Sequence, residues 1–185
     1  MSQRKGRYIS RKDDIKLIKE IQDDKLADFI LMHIRNMWTI DGLYYLGIEE
    51  KYGTEPATEI DRKVWELMGK IEARRIKDFF GITGSDIPSM MKALSYSSWA
   101  LDLEDKEIIV EEKKAIIKNI KCRVQNTRIQ KGLGEFGCKP VRFSFLKAFA
   151  KEFNSEIIVS CKVCPPDKHS DNLWCEWEFI SQNNE

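Results

Sequence analysis

Apolar residues recur every three or four positions through the first half of the chain, which is the spacing of one face of an α-helix. Two long helices are predicted, because Gly53 ends the first and Thr54 with Pro56 begins the second, which ends at Gly81. The first stripe contains Leu26, Phe29, Ile30, Ile34, Met37, Ile40, Tyr44 and Ile48, and the second contains Ile60, Val64, Leu67, Ile71 and Phe79. A shorter helix follows from about Asp86 to Ser95, with Ser85 as its N-cap.

After Ser98 the apolar positions alternate, which predicts short β-strands. The strands are "WALDLE", "KEIIVEE", "AIIKNIKC", "EIIVSCKV" and "NLWCEWEFI", interrupted by helices over about 124–133 and over "PVRFSFLKAFAKEF". Helices first and an antiparallel meander later predict an α+β fold, with an N-terminal helical layer packed on a C-terminal antiparallel sheet that has interspersed helices. Residues 13–185 are interpreted as one domain, with a helical half over about 13–96 and a sheet-rich half over about 97–181.

The charge balance and the lengths of the apolar runs limit the partners that are expected. The 185 residues contain 31 Lys or Arg and 30 Asp or Glu, so the overall charge balance does not favour nucleic acid as a partner. Residues 1–12 contain five basic residues and no acid, and this segment is interpreted as a solvated basic tail. No apolar run approaches the length of a membrane span and the N-terminus lacks a signal-peptide pattern, so a cytoplasmic protein without a membrane partner is expected.

The chain has an odd number of cysteines, all in its second half: Cys122, Cys138, Cys161, Cys164 and Cys175. In a reducing compartment this argues against a disulfide framework. A hairpin centred on Lys168 would place Cys161 directly opposite Cys175, on the apolar face of two strands, with β-carbons about 5 Å apart. Strand alternation would turn Cys164 to the other face.

Thiols that converge in this way suggest a metal site. Four ligands are available for zinc or an iron centre, namely Cys122, Cys138, Cys161 and Cys175, with Cys164 or His169 as substitutes. The spacing matches no standard zinc ribbon or ferredoxin pattern. Buried free cysteines that merely pack are the alternative.

Polar residues on the predicted helices suggest a small-molecule site. His33 and Asp41 lie on or beside the apolar stripe of the first long helix, two turns apart, and could line a pocket between helices and sheet. Arg128 lies six residues after Cys122 and could lower the pKa of that thiol or pair with a carboxylate. The alternative for His33 and Asp41 is satisfaction by local hydrogen bonds, which is the commoner situation for such residues. The acids near the helix junction, Asp61 among them, are interpreted as solvated.

Three segments carry a resemblance to known proteins: "DGLYYLGIEEKYGTEPATEIDRKVW", "CRVQNTRIQKGLGEFGC" and "PPDKHSDNLWCEWEF". They resemble an uncharacterised family of small cytosolic proteins from anaerobic bacteria and archaea, which is distantly similar to L-2-amino-thiazoline-4-carboxylic acid hydrolases and to four-vinyl reductase domains. The chain departs from that pattern at Arg123, where a proline is usual, and in the additional Cys164. The resemblance implies a site formed by Asp41, Gly42, Trp65, Cys122, Arg128, Cys138, Pro165 and Cys175.

Three functions follow as hypotheses. The first is a cytosolic small-molecule-binding protein with a cysteine-cluster metal or iron-cofactor site. The second, which the resemblance implies, is a hydrolase of a small cyclic amidine or amide that uses a thiol near Arg128 or a metal-activated water. The third is a structural or interaction protein, a homodimer in which the tryptophans and helices form the interface and the cysteines pack.

Overall fold

In the computed structural model, which describes residues 10–181, the first part of the chain is helical. Helix α1 spans Arg11–Lys19, α2 Asp23–Tyr52, α3 Thr54–Phe80, α4 Ile87–Ser95 and α5 Ser98–Asp102. The two long predicted helices are confirmed, and Gly53 joins them with a φ of 91° that favours glycine. Most of the predicted basic tail lies outside the described residues. Arg11 and Lys12 belong to α1.

The second part of the chain forms an antiparallel sheet with two helices in its connections. Strand β1 spans Asp105–Val110, β2 Lys114–Lys121, α6 Arg123–Gln130, α7 Lys139–Lys151, β3 Ile157–Val163 and β4 Cys175–Ser181. All strand pairs are antiparallel, in the order β1-β2-β4-β3. The α+β fold is therefore confirmed. The simple meander is wrong, because β4 lies between β2 and β3.

The segment "WALDLE" was predicted as a strand but begins with the short helix α5. The Ser97 hydroxyl accepts a hydrogen bond from the backbone N–H of Ala100 at 3.1 Å, which caps this helix. Trp99 and Ala100 are both buried, whereas a strand with a single buried face would bury only one of two consecutive residues. The N-cap of α4 is likewise Asp86, whose carboxylate accepts from the Ser89 N–H at 2.7 Å, and not Ser85.

The sheet buries one face beneath helices. Ala115, Ile117, Trp177 and Phe179 on this face are almost fully buried, and both α4 and α7 contact strands of the sheet. Helix α3 packs on α7 at very short range, since a β-carbon added at Gly69 would lie 2.5 Å from the Phe145 carbonyl oxygen. The long helices therefore rest mainly on α7, and the helical layer reaches the sheet through it.

The apolar stripes of α2 and α3 are not buried along their length. Ile40 is 56% exposed, Tyr44 73%, Val64 54% and Leu67 58%. The helices form as the periodicity predicts, but much of this face is open to solvent. Within residues 10–181, no helix combines the length and the apolar character needed to cross a membrane.

Candidate functional site

A cavity lies where α2, α3 and α7 meet the ends of β2 and β4. Its inner chamber has a volume of about 80 Å³, and an outer chamber of about 170 Å³ continues toward α6. A buried water needs about 10–15 Å³ on this measure, so the two chambers together could hold a small organic molecule. Both chambers are lined by Trp38, Asp41, Gly42 and Asp61.

Arg142 supplies a buried cation to the inner chamber. It lies on α7 and is only 8% exposed, and its guanidinium carbon is 4.8 Å from the ring centroid of Trp99 and 5.4 Å from those of Trp38 and Trp65. The aromatic faces stabilise the charge partly, while burial lowers the pKa of the guanidinium. Its Nη1 is buried and has no hydrogen-bond partner within residues 10–181.

Asn119, near the end of β2, also lines the inner chamber. It is only 3% exposed, and its Oδ1 also lacks a partner among the described residues. An unsatisfied buried polar atom costs roughly 1–3 kcal/mol. The chamber therefore presents one donor, Arg142 Nη1, and one acceptor, Asn119 Oδ1, that a bound molecule or waters would satisfy.

Asp41 and Asp61 form a carboxyl pair beside this chamber. Trp65 Nε1 donates a hydrogen bond to Asp41 Oδ1 at 3.2 Å. Burial and then the charge of Asp41 raise the pKa of Asp61 to about 7, against the opposing effect of Arg142. Burial also raises the pKa of Asp41. The pair therefore exchanges a proton near neutral pH, which is the property of a general acid or base.

Cys138 and Cys164 meet at the floor of the cavity. Their Sγ atoms are 3.4 Å apart, because the Lys139 N–H donates to the Pro165 carbonyl at 3.0 Å and thereby ties the start of α7 to the end of β3. Cys175, at the start of β4, is buried as Cys164 is. The Cys164 thiol and the Arg142 charge favour the Cys175 thiolate and lower its pKa.

Gln125 fixes the segment that leads to Cys138. Its Nε2 donates to the Phe136 carbonyl at 2.7 Å, and its Oε1 accepts from the Phe136 N–H at 2.8 Å. The same Nε2 lies 3.7 Å from Cys138 Sγ. Gln125 is only 1% exposed, so this amide clamp is shielded from competing water.

The predicted position of Cys161 opposite Cys175 is wrong. Cys161 pairs with Trp177, so the hairpin register is shifted by two residues, although Cys161 and Cys175 remain on the same sheet face. A bulge between Cys161 and Val163 interrupts the alternation. Cys164 therefore turns inward and is fully buried, contrary to the prediction, while Cys161 is half-buried at the sheet edge.

Of the three predicted ligand-binding residues, two line the cavity and one does not. Asp41 lines both chambers, whereas His33 is exposed on α2 and packs against Phe29, so His33 is not part of the cavity. Arg128 lines the outer chamber and pairs with Glu49 at 3.0 Å. It does not activate Cys122, because burial dominates that thiol and raises its pKa to about 11.

His169, the other predicted substitute ligand, contacts groups other than the cysteines. Its Nε2 lies 3.4 Å from Glu135 Oε1 and its ring packs on Trp174. No group of three or more His, Cys, Asp or Glu side chains that could hold a metal ion is found across residues 10–181. The zinc or iron site stays a prediction.

Three residues of the site were not predicted from the sequence. Asp61 was interpreted as solvated and is instead half-buried in the cavity. Arg142 and Asn119 were not singled out at all. The signal for Arg142 was present, since it is a charged residue between Val141 and Phe143 in an otherwise apolar segment.

The residues that the family resemblance implied converge on this cavity. The inner chamber is lined by Asp41, Gly42, Trp65, Cys122, Cys138, Pro165 and Cys175, and the outer chamber by Arg128. They come from α2, α3, α6 and the segments around β3 and β4, so only the folded chain brings them together.

Comparison with protein families matches residues 19–181 to a family of unknown function, DUF6125. The match spans most of the chain, and the chain therefore belongs to this family. Comparison with curated proteins and with solved structures finds no match.

Proposed function

We propose that this DUF6125 protein binds a small polar molecule that carries an amide-like group in the cavity beside Arg142. The observation that supports this proposal is that two residues lining one chamber, Arg142 and Asn119, each have a buried, unpartnered polar atom, Nη1 and Oδ1. An amide or amidine offers one acceptor and one donor side by side, and so complements both atoms. Trp38, Trp65 and Trp99 supply flat apolar walls for a small ring.

Binding is tested with hydantoin, a small cyclic molecule with several amide groups, and with aminothiazoline, a cyclic amidine. Their fully N-methylated derivatives lack the N–H donor and serve as matched probes. We expect calorimetric binding of a parent ring and much weaker binding of its methylated form. Native mass spectrometry of freshly purified protein shows whether a molecule of this class is already bound.

Arg142→Met is the decisive variant, because it keeps a long side chain and removes the donor. Loss of a charged hydrogen bond of about 1.5–3 kcal/mol predicts affinity roughly 10- to 100-fold weaker. Lys147→Met, on the exposed side of the same helix, is the control and should bind as the unaltered protein does. Equal binding by the Arg142 variant, or no binding of either ring, would contradict the proposal.

A second candidate is hydrolysis of the bound ring, and the Asp41–Asp61 pair favours it. In this reaction the ionised carboxylate would take a proton from water as its oxygen bonds to the amide or amidine carbon. The protonated carboxyl would give its proton to the leaving nitrogen as the C–N bond breaks. This differs from the sequence hypothesis, in which a thiol near Arg128 was the nucleophile.

Turnover is followed by the appearance of the ring-opened product. We expect a rate that depends on a group titrating near pH 7, and loss of turnover without loss of binding in Asp61→Asn. Cys122→Ser should retain turnover. Full activity of Asp61→Asn would exclude the carboxyl mechanism and leave binding as the function.

The metal hypothesis is tested separately. Elemental analysis of protein purified without oxygen, with titration of all five thiols after unfolding, decides whether zinc or iron is bound. A stoichiometric metal that is lost in Cys164→Ser but kept in Cys161→Ser would support a site at the cavity floor.

A further inference from the structure

The outer side of the α2–α3 pair carries an apolar groove. It has a volume of about 560 Å³ and is lined along both helices. Its walls include Ile40, Tyr44, Ile60, Val64 and Leu67, each between 45% and 73% exposed. These residues belong to the stripes whose helical spacing normally marks a buried face. The sequence thus encodes a buried surface that one copy of the chain leaves open.

The extent of this surface matches a protein interface. The residues that line it lie between positions 37 and 48 of α2 and between positions 57 and 71 of α3, so the groove is about 20 Å long. Its half-exposed apolar side chains are contiguous, and an exposed apolar patch larger than about a few hundred Å² is typical of a protein–protein contact.

The charges around the groove suit self-association. Asp41 and Asp61 are the carboxylic acids that line it, and the pKa of both is raised, so the pair carries less than two full negative charges near neutral pH. On α3, Glu59 pairs with Arg62 and Lys63 within the same helix. Two copies of the face would therefore meet without a large like-charge repulsion.

We propose that a second copy of this chain docks on the groove through the same α2–α3 face, so that two helical pairs form a symmetric four-helix contact. Two-fold contacts use one self-complementary patch on both copies, and paired antiparallel helices pack in this way in helical bundles. This differs from the sequence hypothesis of a tryptophan-rich interface, because Trp38, Trp65, Trp99 and Trp177 are buried within the chain.

The contact would also complete the small-molecule site. Asp41, Asp61 and Trp65 line both the groove and the inner chamber. A second copy on the groove would cover this side of the carboxyl pair and exclude water from it. Dimerisation and ligand binding would then strengthen each other, a consequence that rests on the proposed function, whereas the dimer itself does not.

Sedimentation equilibrium and light scattering on the full chain test the dimer without any ligand. We expect twice the mass of one chain, and one chain mass for Val64→Glu with an unchanged circular dichroism spectrum. Ile158→Glu places the same charge at a 41% exposed site on β3 and should remain dimeric. A second variant, Leu67→Glu, should repeat the result if the first unfolds.

Each other outcome overturns the inference. An unaltered protein that is monomeric at all concentrations excludes the second copy, and a monomer that carries an apolar small molecule in native mass spectrometry assigns the groove to that molecule. A dimer that survives both groove variants places the interface elsewhere. Failure of the proposed function is distinguishable, because Arg142→Met should lose hydantoin binding while it stays dimeric.

Discussion

Asp61→Asn is expected to raise the free energy of unfolding at alkaline pH. Burial, together with the charge of Asp41, raises the pKa of Asp61 from 3.8 to about 7 in the folded protein. Between these two pH values the unfolded chain loses a proton that the folded chain keeps, so the free energy of unfolding falls as pH rises. Asparagine has nearly the same shape and no proton to lose.

The size of the effect follows from the shift. A change from 3.8 to about 7 is about 3 pKa units, and at 1.36 kcal/mol per unit its upper limit is about 4 kcal/mol. Asp41 shares the repulsion and the carboxyl retains some contact with solvent, so we expect about 1–3 kcal/mol at a pH of about 8.5. The pH-dependent advantage should vanish below a pH of about 4, where both states are protonated.

Urea unfolding followed by tryptophan fluorescence across this pH range measures the difference. Asp78→Asn, at an exposed position of the same helix, controls for the loss of one carboxylate. A constant difference between Asp61→Asn and the unaltered protein at every pH would refute the reasoning. A difference that instead shifts in favour of the unaltered protein as pH rises would also refute it.

Three further predictions concern packing, charge and thiol chemistry. Gly69→Ala should lower the free energy of unfolding in urea by about 1–3 kcal/mol, because its β-carbon meets the neighbouring helix backbone. Gly47→Ala is the control: its β-carbon meets nothing within 4 Å, so the free energy of unfolding should rise by about 0.5–1 kcal/mol. Arg128→Met should destabilise by about 1–3 kcal/mol near neutral pH. That loss should shrink as pH falls below about 4.5, because the Arg128 hydrogen bond lowers the pKa of Glu49 and protonation removes the pair. Cys122, with a pKa of about 11, should resist iodoacetamide at neutral pH in the folded protein, which peptide mass mapping checks.

Local signals predicted the elements well, because each helix and strand carries its own periodicity and its own end residues. Gly53 and Gly81 end α2 and α3 as expected. The strand predicted for "WALDLE" was wrong. An apolar run of this length fits a strand or a short helix equally well, and the Ser97 cap decides between them.

The site was predictable only in part, because it depends on contacts between distant segments. A hairpin register centred on Lys168 was the simplest choice, but pairing with β2 and the bulge after Cys161 shift it. That bulge brings Cys164 to Cys138, and no local pattern indicated it. The raised pKa of Asp61 likewise depends on its burial and on the charge of Asp41, twenty positions away, which sequence spacing alone does not report.

The Gln125 clamp predicts which positions near the cavity tolerate substitution. The clamp holds the connection between α6 and α7 at Phe136 alone, while Gly132 and Gly134 adopt positive φ values just before it. Substitution of Lys131, which is exposed and precedes these glycines, should therefore leave Phe136 in place. A change at Gln125 removes both hydrogen bonds to Phe136 and the amide contact with Cys138 Sγ, so we expect this buried position to tolerate substitution far less than Lys131 does.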